Sequence, residues 1–219
     1  MNDLREESRL EEFFNIVTCG AGLGLSIVAS VILVVSASLH GDPRRIVSLS
    51  IYGASLVLLF TCSTLYHCFR SKKTKRVFEI LDHSAIYILI AGTYTPFTLV
   101  TLKGAWGWSL FGIVWALALA GTLFKVFFIT KFKALSVIIY LLMGWLVAVA
   151  LRPLDQHLGA EGIRWLAAGG IIFSLGVFFY AFKKLPFHHT VWHLFVLMGC
   201  GCHFFSILFY VLPATSNKL

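Results

Sequence analysis

The chain has 219 residues, 58% of them hydrophobic and only 13% charged, with a formal net charge of +8. A soluble domain of this length could not bury so much apolar surface, so composition excludes the ordinary soluble classes and points to an integral membrane protein. No nucleic-acid motif accompanies the basic balance, which therefore suits anionic lipid headgroups and no nucleic-acid partner.

Seven apolar stretches are long enough to be bilayer-spanning helices of ~20 residues: 16–39, 46–69, 80–102, 106–128, 134–151, 163–182 and 189–212. They are too long for barrel strands and lack the alternation such strands need. The predicted fold is all-α, a seven-transmembrane helix bundle. A tail over 1–15 precedes one transmembrane domain over 16–212, and a short tail over 213–219 ends the chain.

In chain order, the first residues are polar and net acidic, without the basic start of a cleaved signal peptide, so helix one reads as its own insertion signal. Glu12 and Asn15 either pack beside neighbouring helices or form a solvated first turn. Gly20 and Gly24 follow at a spacing that permits close helix approach, assigned here to packing within the bundle. Helix two ends with Ser63 and His67, four apart on one face. Asp82 enters helix three within its first turn, and Pro96 is expected to kink that helix. Trp106, Trp108, Trp145, Trp165 and Trp192 fall mostly near helix ends, as an interfacial aromatic belt would. Helix seven follows Pro186 and opens with His189 and His193, again four apart, while His203 lies ~15 Å further along at helical rise. Cys19, Cys62, Cys68, Cys200 and Cys202 sit in or beside helices and read as small buried hydrophobes, not a disulfide framework.

Charge sets the expected orientation. With the N-terminus inside, the cytoplasmic parts hold Arg5, Arg9, Arg70, Lys72, Lys73, Lys75, Arg76, Lys125, Lys131, Lys133, Lys183 and Lys184. The opposite side holds only Arg44, Arg45, Lys103, Arg152, Arg164 and Lys218. The positive-inside rule thus favours a cytoplasmic N-terminus and an external C-terminus in the cell (inner) membrane. Ser63, His67, Asp82, His189 and His193 then all fall near the cytoplasmic face, an agreement between two independent readings.

Ionisable groups inside a membrane are costly and mark function by default. Neutral imidazole suits borderline-soft zinc, at about 2.0–2.1 Å, and three protein ligands leave the open fourth position of a catalytic site. A bound zinc ion acidifies a water, which Asp82 could orient and deprotonate. Ser63 could support the site or donate to a developing oxyanion. The bland alternative is that each histidine is an interfacial residue with its polar tip in the headgroups. His83 points about 100° from Asp82 and is expected to meet the interface or a neighbouring helix. His203 is either a satisfied core residue or part of a substrate cavity.

A family resemblance rests on three groups of residues. They are Ser63-Thr64-Leu65-Tyr66-His67, Leu81-Asp82-His83-Ser84-Ala85-Ile86-Tyr87 with Ala91-Gly92-Thr93-Tyr94-Thr95-Pro96-Phe97, and His189-Thr190-Val191-Trp192-His193 with Gly201-Cys202-His203-Phe204-Phe205. Together they resemble the bacterial hemolysin III proteins, within the progestin and adipoQ receptor group that includes the adiponectin receptors. The resemblance runs from Glu11 to about Tyr210. It implies a seven-helix bundle, with His67, His189 and His193 as ligands of Zn2+ and Asp82 engaging the water on the ion. It also implies chemistry on membrane lipids, since related proteins are linked to hydrolysis of lipid amides such as ceramide. The bacterial branch is linked to hemolysis and to maintenance of membrane properties. One position departs from the family pattern E-x-x-N-x-x-x-H: Glu12 and Asn15 fit it, but Cys19 stands where histidine is usual.

The leading expectation is a zinc-dependent, lipid-directed hydrolase, catalytic through Asp82 and Ser63. A non-enzymatic sensor of membrane state with a structural zinc is the second, and a cytolytic pore the third. A pore needs a polar lumen, which these helices are too apolar to line.

Overall fold

A computed structural model of the chain describes residues 8–102, 104–129 and 131–213. Arg5, Lys103 and Lys218, used above for orientation, lie outside them, as do 1–7 and 214–219 of the two tails. The described residues form helices joined by short turns, with no strand among them.

Helix α1 spans Arg9–His40. Its start is fixed by a capping box in which the Ser8 hydroxyl accepts from the Glu11 amide and the Glu11 carboxylate accepts from the Ser8 amide, satisfying two donors that the first turn leaves open. Its end is set by Gly41 at φ +70, a left-handed cap that costs glycine little. Asp42 then caps α2, Pro43–Cys68, with proline in its first turn. Helix α3 spans Lys72–Pro96 and continues as π-helical turns over Phe97–Leu102. Pro96 thus produces a change of winding, because it has no N–H for the α-helical ladder. Helix α4 spans Gly104–Phe128 and α5 spans Lys133–Trp145, with 3-10 turns over Leu146–Ala150 leading into α6, Leu151–Ala181. Gly159, at φ 73 and ψ 163, breaks α6 internally. The connector expected between 151 and 163 is therefore helical on both sides of one glycine. Helix α7 spans His188–Ser206 and ends in π-helical turns over Ile207–Val211.

Six helical stretches among the described residues are long and apolar enough to cross a membrane, one of them being Ala134–Ala181. Helix α2 packs between α1 and α3, α4 lies on α3, α6 lies on α7, and α1 closes against α7. Leu33, Leu49, Tyr52, Leu56, Phe60 and Ile207 form part of the sealed core. Many apolar side chains of α1, α4 and α6 stay exposed, as lipid-facing surfaces do.

Two expectations need correction. The close approach of α1 to α2 is made at Gly22, where a Cβ would strike the Phe60 ring; Cβ atoms at Gly20 and Gly24 would meet nothing. Two of three neighbouring glycines therefore face away from the bundle. Lys125, counted as a headgroup-side charge, is 1% exposed, with its ammonium 5.9 Å from the centre of the Tyr140 ring. Its helix extends past it to Phe128, which carries the side chain into the bundle.

Candidate metal centre

Three helix ends and the first turns of α1 meet at one end of the bundle. The His67, His189 and His193 rings pack edge to face or tilted, with centroids 5.0 Å (67–189), 5.2 Å (67–193) and 4.6 Å (189–193) apart. His67 Nε2 and His193 Nε2 face each other at 3.1 Å. The i, i+4 spacing places both α7 rings on one side, and the last turn of α2 brings His67 against them. Both His67 and His193 are buried.

The sequence left Glu12 undecided; its packing shows what it does. Its Oε2 accepts from His67 Nδ1 at 2.7 Å, and its Oε1 accepts from Lys75 Nζ at the start of α3. A carboxylate can only accept, so His67 carries a proton on Nδ1, and in the neutral ring Nε2 presents a lone pair. This is the usual way a metal-ligating histidine is oriented. Glu11 and Asn15 hold the other side: Glu11 Oε1 accepts from the Phe187 amide at 2.8 Å, and Asn15 Oδ1 accepts from the Thr190 hydroxyl at 2.5 Å. The inward face of α1 thus clasps α2, α3 and α7. Polar residues at 12, 15 and 19, at helical spacing beside an apolar run, were the signal for this face.

Ser63 lies in the last turns of α2, but Asp82 does not lie in the first turn of helix three as expected: α3 starts at Lys72, ten residues earlier, because the basic run of the expected connector is itself helical. The Ser63 hydroxyl lies 3.3 Å from Cys19 Sγ, and Ser63, Asp82 and His189 line one cavity. Cys19, His67 and His193 each offer a ligand atom, and these lie within 4.8 Å of one another, so a Cys/His/His metal site is available; His189 packs its ring on the other two but is not part of that group. The donor set fits a borderline-soft divalent ion, because lone pairs and a thiol converge in a buried place. His83 turns its Nδ1 to the Glu79 carbonyl at 2.8 Å and accepts Tyr140 OH at its own carbonyl.

A cavity of about 280 Å³ opens from this cluster into the bundle. Ser63, Asp82, His189 and His193 line its polar end, and its walls are mostly apolar as far as Trp145, Phe173 and His203. Lys125 and Tyr140 also line it.

An all-helical, multi-pass membrane protein with a buried imidazole cluster at the mouth of an apolar cavity is the class these features define. The family model "Haemolysin-III related" matches residues 8–204, and the chain belongs to that family. It is 50% identical to "Hemolysin-3" of Bacillus cereus over 206 residues, 94% of each chain. It is 52% identical to "Hemolysin-3 homolog" of Bacillus subtilis (strain 168) over 200 residues, 91% of this chain and 94% of that one. More distantly, it is 32% identical to the human "Monocyte to macrophage differentiation factor" over 167 residues, 74% of this chain and 69% of that one. The protein is a multi-pass integral protein of the bacterial cell membrane.

Proposed function

We propose that this protein is a zinc-dependent hydrolase of a lipid amide, serving membrane homeostasis. The observation that carries the reading is the continuity of an apolar cavity with Ser63, Asp82, His189 and His193 at its polar end. Apolar walls suit an acyl chain, and the polar end suits the amide. His67, His189 and His193 would hold the metal. Zinc would supply a Lewis acid and acidify a water. Asp82 would take that water's proton and pass it to the leaving amine, so that water adds across the C–N bond and gives a carboxylic acid and an amine. Ser63 would donate to the Asp82 carboxylate and fix its position. Glu12 would keep His67 in the ligating tautomer.

The proposed topology is seven spans with a cytoplasmic N-terminus. Ala134–Ala181 contains 48 residues, about 72 Å of helix against about 30 Å of hydrocarbon. One span cannot use that length, whereas two spans turning at Gly159 can.

The test is metal quantification in purified wild type, His67→Ala and His189→Ala, followed by turnover of a ceramide in proteoliposomes by wild type and Asp82→Asn. Stoichiometric zinc in wild type alone, with Asp82→Asn retaining zinc but losing turnover, is the expected result. Zinc retained in both histidine variants would sink the ligand assignment.

Cys19 favours a second reading, a membrane-state sensor with structural zinc, because a thiolate ligand would fill the open position. Against it, the Cys19 sulfur is already engaged with the Ser63 hydroxyl at 3.3 Å. Cobalt-loaded protein separates the two, since only the closed site gives an intense sulfur-to-metal charge-transfer band. Lysis is named in the B. cereus relative. It would need a wet lumen, and the walls of the cavity are mostly apolar. Discrete conductance steps in liposomes would restore it.

A further inference from the structure

The far end of the cavity carries a polar atom that the hydrolytic chemistry does not use. His189, His193, Val196, Cys200 and His203 follow one another at intervals of four, three, four and three residues, so they share the inward stripe of α7. His203 lies ten residues beyond His193, ~15 Å along the helix, and lines the same cavity.

The His203 ring is seated, not loose. Gly169 of α6 leaves the space it fills, because a Cβ there would strike the ring. Phe173 packs against it, with centroids 5.4 Å apart. Its Nε2 bonds the Leu166 carbonyl at 3.2 Å. A carbonyl only accepts, so Nε2 carries the proton, and in the neutral ring Nδ1 is an acceptor. No described residue bonds Nδ1, yet it is absent from the sealed, partnerless polar atoms such as Ser84 Oγ and Tyr87 OH. It is therefore not sealed off, and the ring that carries it lines the cavity. An acceptor presented inside an apolar cavity discriminates strongly, because a chain with no donor leaves it unmatched.

We propose that His203 is a specificity-determining residue that accepts a hydrogen bond from a hydroxyl midway along the bound lipid chain. The favoured ligands are lipids with a mid-chain hydroxyl, the polar head at the histidine cluster and the hydroxyl one helix segment deeper. This rests on the reading that the cavity holds a lipid chain.

The test uses the full-length protein in nanodiscs with two probes, stearic acid and its mid-chain hydroxystearic analogue, whose identical heads cancel in the comparison. Wild type should bind the hydroxylated probe about fivefold more tightly, the scale of one net hydrogen bond. His203→Phe, which keeps an aromatic ring but no acceptor, should bind both alike. In 15N-histidine-labelled wild type, the Nδ1 resonance of His203 should move with the hydroxylated probe and not with the plain one. The resonance decides the matter even if His203→Phe folds poorly. Equal binding of both probes by wild type, or a preference that survives in His203→Phe, would overturn the assignment while leaving the lipid cavity intact. Binding of neither probe would overturn the cavity reading and this assignment together.

Discussion

Glu12 shows how one side chain can set the chemistry of another 55 residues away. It accepts from His67 Nδ1 and so, in the neutral ring, leaves Nε2 as the atom that would ligate a metal. Glu12→Gln can present either an oxygen or an amide to Nδ1, so it loses the charge and the certainty of the tautomer. Such outer partners are typically worth 10–100-fold in metal affinity. Glu12→Gln is therefore expected to raise the zinc dissociation constant by about tenfold or more, measured by competition with a fluorescent chelator in detergent. Unchanged affinity would mean that Glu12 serves only to join α1 to Lys75. The meeting of His67 with His189 and His193 was legible because ionisable side chains are costly in membrane helices and because the α7 pair repeats the helical turn. The partners from α1 were not legible to the same degree. Glu12 and Cys19 act across 55 and 44 residues, and only helix packing decides whether a polar first turn faces water or neighbours. Lys125 misled for the same reason: a positive charge near a helix end looks solvated until its face is known.

At the scale of whole helices, α1 is clamped from two directions. Its polar first turns hold α2, α3 and α7, while Gly22 lets its middle lie on Phe60 of α2. Gly22→Leu would force the helices apart, and overpacking of this kind costs about 1–3 kcal/mol. Gly20→Leu and Gly24→Leu would add a side chain where nothing stands within reach. Thermal unfolding in detergent should therefore show a lowered midpoint for Gly22→Leu and a midpoint near wild type for the other two. Equal losses in all three would place the packing face elsewhere. The glycine spacing was visible in the sequence, but a spacing of four names a face only when it is unique. With Gly20, Gly22 and Gly24 in one turn and a half, the geometry of α2 had to choose. Helix existence was easy to read from the apolar runs. The winding changes at Phe97–Leu102 and Ile207–Val211 were not, because only one of them follows a proline.

For the molecule as a whole, the fate of Ala134–Ala181 decides the topology. If the stretch turns at Gly159, the chain crosses seven times and its ends lie on opposite sides. If it crosses once, the count is six and α7 runs the other way, which would set His189 and His193 at the face opposite His67. The convergence of the three rings within 5.2 Å is therefore itself an argument for the turn. Gly159 lies at a backbone conformation essentially restricted to glycine, and Arg152, Asp155, Glu161 and Arg164 surround it. Four charges within a few residues are far more at ease in the headgroups than at mid-bilayer. Single cysteines introduced by Glu161→Cys and Lys183→Cys, each with the exposed Cys68 changed to serine, test this directly. A membrane-impermeant maleimide added to intact cells should label the cysteine at 161, while the one at 183 should react only after the cells are opened. Protection of position 161 in opened as well as intact cells would mean that the long stretch does not surface at Gly159. The seven-span arrangement would then fall, and with it the common depth that the metal centre requires.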